Sequence, residues 1–116
     1  MLYFEVEGKG KSFVFLHGFL ENHLIWNNLR KNLEKDAQIV TIDLPGHGNS
    51  AVMDETATME TMADAVIEVL DELNIAQATF IGHSMGGYVT CALADLYPER
   101  VENMVLINSS TLPDDD

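Results

Sequence analysis

An apolar run, Ala78-Thr79-Phe80-Ile81, stops at Gly82-His83-Ser84-Met85-Gly86-Gly87, and a helical pattern of Val89, Ala92, Leu93 and Leu96 begins at once and lasts until Pro98. No other stretch narrows the choice of fold so far. A strand that becomes a helix within one residue needs small neighbours. It pushes the residue at the bend, Ser84, out of the backbone surface, and aims the next N–H at whatever that serine attacks. Three fixed positions of the G-x-S-x-G type arise by chance about 0.04 times in a chain of this length. The strand before the pentapeptide and the helix after it therefore carry the reading.

The rest of the chain alternates strands with helices around this bend. Leu2 to Val6 is a predicted strand, and Glu7-Gly8-Lys9-Gly10-Lys11 is a turn into Ser12-Phe13-Val14-Phe15-Leu16, so the two runs are expected to pair as a hairpin. The second run is apolar on both faces, which places it centrally in a sheet covered on both sides. Asn22 is expected to cap a helix bearing Ile25, Trp26, Leu29 and Leu33. Ile39 to Ile42 is the next strand. From Met59, the positions Met62, Ala63, Val66, Leu70 and Leu73 fall on one helical stripe that Asn74 is expected to end. After the bend and its helix, Tyr97-Pro98-Glu99-Arg100 breaks to a strand over Met104 to Ile107. Strands alternating with helices at this interval pair in parallel through right-handed crossovers, so the fold class is α/β with a mostly parallel sheet and flanking helices. The sequence has no internal repeat, linker or second domain.

Charge excludes several partners. Six Lys and Arg stand against 19 Asp and Glu, a formal charge of −13 that repels phosphate backbones and anionic lipid. No nucleic acid or membrane partner is expected; a small-molecule substrate is. The single cysteine, Cys91, rules out an internal disulfide and fits a reducing compartment, and its place on a helix reads as packing. The N-terminus carries no signal-peptide pattern, and no run approaches the roughly 20 apolar residues of a membrane span. A soluble, cytoplasmic protein is the expectation. No metal-ligand spacing or phosphate-cradling glycine pattern is present, so no cofactor or metal is implied.

The stretch around Ser84 resembles the nucleophile elbow of the α/β-hydrolase family. Phe15-Leu16-His17-Gly18-Phe19 resembles that family's strand and oxyanion loop, and Asp43-Leu44-Pro45-Gly46-His47-Gly48-Asn49-Ser50 resembles the loop after its next strand. The resemblance implies that residues 1–116 are the N-terminal part of a single α/β-hydrolase domain, ending before the cap and the C-terminal strands. It implies a serine hydrolase resembling esterases, in which Ser84 attacks a carboxylic ester or related carbonyl to form an acyl-enzyme. The backbone N–H groups of Phe19 and Met85 would then form the oxyanion hole. Alternatives stay open: a non-catalytic truncated fragment, or a lyase, carbon–carbon bond hydrolase, haloperoxidase or small-molecule receptor on the same fold.

An unassisted hydroxyl is a weak nucleophile and needs a histidine base oriented by a carboxylate. Of the four histidines, His83 adjoins Ser84 at a sharp turn and should diverge from it, His23 belongs near the pocket mouth or solvent, and the resemblance makes His17 and His47 loop-shaping residues. Asn108 stands where some relatives carry the acid, and Asp43 reads as a turn former. Base and acid are thus expected beyond Asp116, and the chain alone is expected to be inactive. An exposed sheet edge at Met104 to Ile107 is expected to drive self-association, more strongly as salt screens the charge.

Overall fold

The computed structural model describes residues 2–17, 36–44 and 58–107. Five strands form one sheet: β1 (Phe4–Glu7), β2 (Lys11–Leu16), β3 (Ala37–Ile42), β4 (Ala78–His83) and β5 (Val101–Ile107). Their spatial order is β1-β3-β2-β4-β5. All neighbouring pairs are parallel except β1 with β3. Two α-helices are described, α1 (Met59–Glu72) between β3 and β4, and α2 (Met85–Leu96) between β4 and β5, with a single 3₁₀ turn (Pro98–Arg100) leading into β5.

The expected hairpin does not form. β3 lies between β1 and β2, with Phe4 opposite Ile42 and Glu7 opposite Ile39 on one side, and Lys11 opposite Ala37 through Leu16 opposite Ile42 on the other. The alternation of side chains explains the outcome. β1 reads Phe-Glu-Val-Glu and suits a sheet edge, whereas β2 is apolar on both faces and gains two parallel neighbours, β3 and β4, in the interior. The connecting turn needs positive φ at Gly8 (81°) and Gly10 (127°). A Cβ on Gly10 would lie 2.8 Å from the carbonyl oxygen of Asp36, the residue leading into β3, so the link is pressed against the strand it bypasses.

α1 forms as its periodicity requires, burying Met62, Ala63, Val66, Ile67, Val69 and Leu70 against the sheet. Each such aliphatic side chain contributes about 1.5–3 kcal/mol on burial. Its start is fixed by a reciprocal box: the Thr61 N–H donates to Thr58 Oγ1 at 3.1 Å, and the Thr58 N–H donates to Thr61 Oγ1 at 2.7 Å. At its end Asn74 takes φ 58°, its N–H donates to the Asp71 carbonyl, and that of Ile75 donates to the Leu70 carbonyl. These two bonds reverse the chain, with Ile75 and Leu70 both buried behind them. The α1 side of the sheet carries Val14, Leu16, Val40, Ile42, Ala78 and Phe80, joined there by Val89 and Leu93 of α2. The opposite face carries Phe15, Ala37, Ile39 and Ile81.

Arg100 locks the loop between α1 and β4, donating to the carbonyls of Ala76 and Ile75 and to Asp71 Oδ1, each at 2.8 Å. A cavity of about 270 Å³ lined by Asp71, Asn74, Ile75, Ala76 and Arg100 lies there, at the N-terminal ends of β4 and β5. It is a strand's length, roughly 20 Å, from the bend that follows β4. At the far end of the described sheet, Met104 and Val105 of β5 remain 43% and 47% exposed. The predicted helix capped by Asn22 lies outside the described residues, as do Phe19, His23, His47 and Asn108.

Candidate active site

The strand order reverses direction at β2. The chain moves from β2 outward to β3, then crosses back to β4 on the other side of β2. In an open α/β sheet the crevice at such a switch point, beyond the carboxyl ends of the strands, is where ligands bind. Two residues lie at this switch point, His17 after β2 and Ser84 after β4.

Ser84 occupies the bend between β4 and α2 with φ 55° and ψ −113°. This pair of angles lies outside the ordinary regions for a residue with a side chain and carries strain of about 1–3 kcal/mol. Its carbonyl accepts from the N–H of Gly87 at 2.8 Å and of Tyr88 at 3.3 Å, but its side chain makes no capping bond to α2. The hydroxyl is therefore not engaged as a helix cap, the commonest structural use of a serine in this place.

Two glycines make the bend. A Cβ on Gly82 would stand 2.4 Å from the carbonyl oxygen of Gly86, and one on Gly86 would stand 2.1 Å from that of Leu16 and 2.7 Å from that of His17. Backbone atoms cannot yield as the tip of a side chain can, so the first turn of α2 lies directly on the end of β2. Thr90 Oγ1 donates to the Gly86 carbonyl at 2.8 Å and holds that turn in register. Met85, the first residue of α2, is half-buried. As the first residue of α2, Met85 has an N–H with no carbonyl four residues back within the helix, and the helix dipole at that end favours negative charge.

His17 is completely buried, and its Nε2 accepts the Leu44 N–H at 2.8 Å. An accepting Nε2 has its lone pair in use, which removes His17 from the candidates for a base acting on Ser84. His83 is the last residue of β4, half-buried and in register with Ile107. Asp43 is fully buried after β3, and its N–H donates to the Tyr3 carbonyl at 2.9 Å, extending the pairing of β1 with β3. Cys91 is a free, partly buried thiol on α2. Among the described residues no three His, Cys, Asp or Glu side chains come together as a metal site. Among the same residues no helix is long and apolar enough to cross a membrane.

Sequence reasoning had no access to the partner of His17, because a histidine followed by glycine carries no mark of an amide 27 residues away. The box at the start of α1 did leave a signal, Thr58-x-x-Thr61 just before an apolar stripe.

Comparison with known proteins bears on the fold. The profile of a family described as "alpha/beta hydrolase fold" matches residues 11–116. The dihydrolipoyllysine-residue acetyltransferase component of the acetoin cleaving system of Pseudomonas putida is 37% identical over 95% of this chain and 30% of its own length. The (E)-2-((N-methylformamido)methylene)succinate hydrolase of Acinetobacter baylyi is 30% identical over 91% of this chain and 40% of its own. A solved thermophilic esterase from Thermogutta terrifontis superposes with a TM-score of 0.94 at 34% identity, covering 98% of this chain and 42% of that one. The chain thus spans less than half the length of these relatives.

Proposed function

The chain belongs to the alpha/beta hydrolase fold family, and from that premise we propose that it carries the nucleophile of a serine hydrolase acting on a carboxylic ester or related carbonyl through an acyl-enzyme. The observation that carries this reading is the Ser84 backbone, held at φ 55° and ψ −113° beyond the carboxyl end of β4. Strain of this kind persists only where its surroundings over-determine it, and it gathers at functional sites.

In the proposed reaction Ser84 Oγ attacks the carbonyl carbon while its proton passes to a histidine base. The resulting oxyanion receives the N–H of Met85 and of Phe19. The carbon–oxygen bond to the alcohol breaks, the base returns the proton to the leaving alkoxide, and water then releases the acid by the same steps. Preorganised donors at an oxyanion are worth about 10²–10³ in rate each. With His17 committed to Leu44, the base and its carboxylate are proposed to come from polypeptide outside these 116 residues.

Short-chain esters test the role of Ser84 in a protein completed with the C-terminal portion its relatives carry. Ser84→Ala should lower turnover by at least about 10³-fold; an alanine variant that keeps its activity would sink the assignment. The 116-residue chain by itself should show little or no labelling by a serine-directed fluorophosphonate. Fast stoichiometric labelling at Ser84 would mean that a base is already present.

A further inference from the structure

We propose that β5 docks a second copy of this chain: two β5 strands pair antiparallel across a two-fold axis at Met104 and join their sheets into one. This assembly is independent of the chemistry at Ser84.

The two ends of the sheet are finished differently. β1 closes one end with Phe4 and Val6 packed on the core and with Glu5 and Glu7 in the same strand, and charges on an outer strand discourage further pairing. β5 ends the described sheet on the other side and, among the described residues, pairs with β4 alone. Four consecutive residues of it, Glu102 to Val105, are exposed. Neighbours along a strand point to opposite faces, so both faces of β5 are open. Register with Phe80 puts Met104 on the side of the sheet that carries α2, and register with Ile81 puts Val105 on the other. Leu96, Met104 and Val105 are the exposed large apolar residues among those described, and they lie on β5 or at the end of the helix before it.

Charge selects the occupant. The chain carries −13 overall, so two copies approach closely only where acids are missing. Asn103-Met104-Val105-Leu106-Ile107 has no ionisable residue, no proline and no glycine. The acid before this run is met from within its own molecule: Glu102 is the extra residue where the register of β4 with β5 slips, and Lys11 bridges its carboxylate at 3.2 Å. A basic partner would find no carboxylate along the run, and an anionic one is repelled by the rest of the molecule. A second β5 matches it. With Met104 opposite its own copy, Asn103 stands opposite Val105 and Glu102 falls nearest Leu106, so the central pairs share a sheet face and no acid opposes an acid. Such a two-fold uses both edges and stops at a dimer.

Sedimentation equilibrium of the 116-residue chain provides the test. A monomer–dimer equilibrium should be seen between about 1 µM and 1 mM, tightening at least about tenfold as salt rises from about 0.02 M to 0.5 M and screens the acids. A monomer at every concentration and salt level overturns the proposal, and so does growth beyond the dimer. Met104→Lys sets two cations opposite each other at a site exposed in the monomer, and should weaken the dimer at least about tenfold; unchanged affinity overturns the proposal. Disulfide formation reads the register separately. In a Cys91→Ala background, Met104→Cys should oxidise to a covalent dimer at least about tenfold faster than Val105→Cys, whose copies would stand diagonally, about 7–8 Å apart. Equal or reversed rates refute the two-fold at Met104. If the chain stays monomeric alone and gains a partner only when the C-terminal portion its relatives carry is supplied as a separate polypeptide, β5 belongs to that portion and the second copy is not its occupant.

Discussion

Asn74 and Ser84 are the two described non-glycine residues with positive φ, at 58° and 55°, and they reach it for opposite reasons. Asn74 ends a helix. Its conformation is produced locally, by two hydrogen bonds back to α1, in a residue whose short polar side chain tolerates the left-handed region. Ser84 begins a helix, and no side-chain bond to that helix accounts for its angles. Its conformation is imposed from outside, by β4 on one side and by the contacts of Gly82 and Gly86 on the other. A left-handed residue that closes its own turn is a chain terminator; one held there by packing at a sheet's carboxyl edge marks a site.

Predictions can break this contrast, beginning with the largest effect on stability. If packing on β2 imposes the bend, Gly86→Ala must force backbone apart, and urea unfolding should register a loss of about 3 kcal/mol. A loss within experimental error would show that the turn of α2 stands clear of Leu16. Relief of strain at Ser84 is next. Ser84→Gly should be more stable than Ser84→Ala by about 1–2 kcal/mol, since only glycine adopts these angles freely. Equal stability of the two variants would remove strain from the account.

The starts of the two helices sharpen the same point. Thr58 caps α1 through its hydroxyl, so Thr58→Ala should cost about 1 kcal/mol, whereas Ser84→Ala, which loses no capping bond, should leave stability nearly unchanged. A reversed order would make Ser84 an ordinary cap. The smallest effect concerns pH. The Tyr97 hydroxyl, which donates to Asp64 on α1, has its pKa raised above 10.0, chiefly by that bond and further by burial and nearby carboxylates. A raised folded-state value favours the neutral phenol, so this stability is complete below pH 10 and is lost as pH climbs through the raised value. Tyr97→Phe should give up this small contribution already near neutral pH and show a flatter alkaline decline. An identical alkaline limb in both proteins would show that the phenol does not join the helices.

What could be read from sequence followed from how local each cause is. The apolar stripe of α1, its end at Asn74, the strand before Ser84 and the stop at Pro98 are all written within a few residues of where they act. The neighbour of β1 is not. Gly8 and Gly10 look the same in a hairpin as in a turn that steps over another strand, and the decision rests on which strand is apolar on both faces. The bend at Ser84 was legible as a motif, but its cause, the approach of Gly86 to Leu16, joins positions seventy residues apart. His17 was legible as loop-shaping through resemblance alone, and its amide partner became visible only when β3 took its place beside β2.

The placing of β3 between β1 and β2 also gives the chain a schedule. During synthesis β1 emerges before its pairing partner, which runs from Ile39 to Ile42. Had β1 and β2 formed a hairpin, they could have paired as they left the ribosome. Instead β1 must wait, unpaired, until a strand that does not follow it directly has docked on β2. β1 is thus completed only after β3, although β2 follows it directly, and the turn at Gly8 and Gly10 must leave β1 free to move aside while β3 goes in.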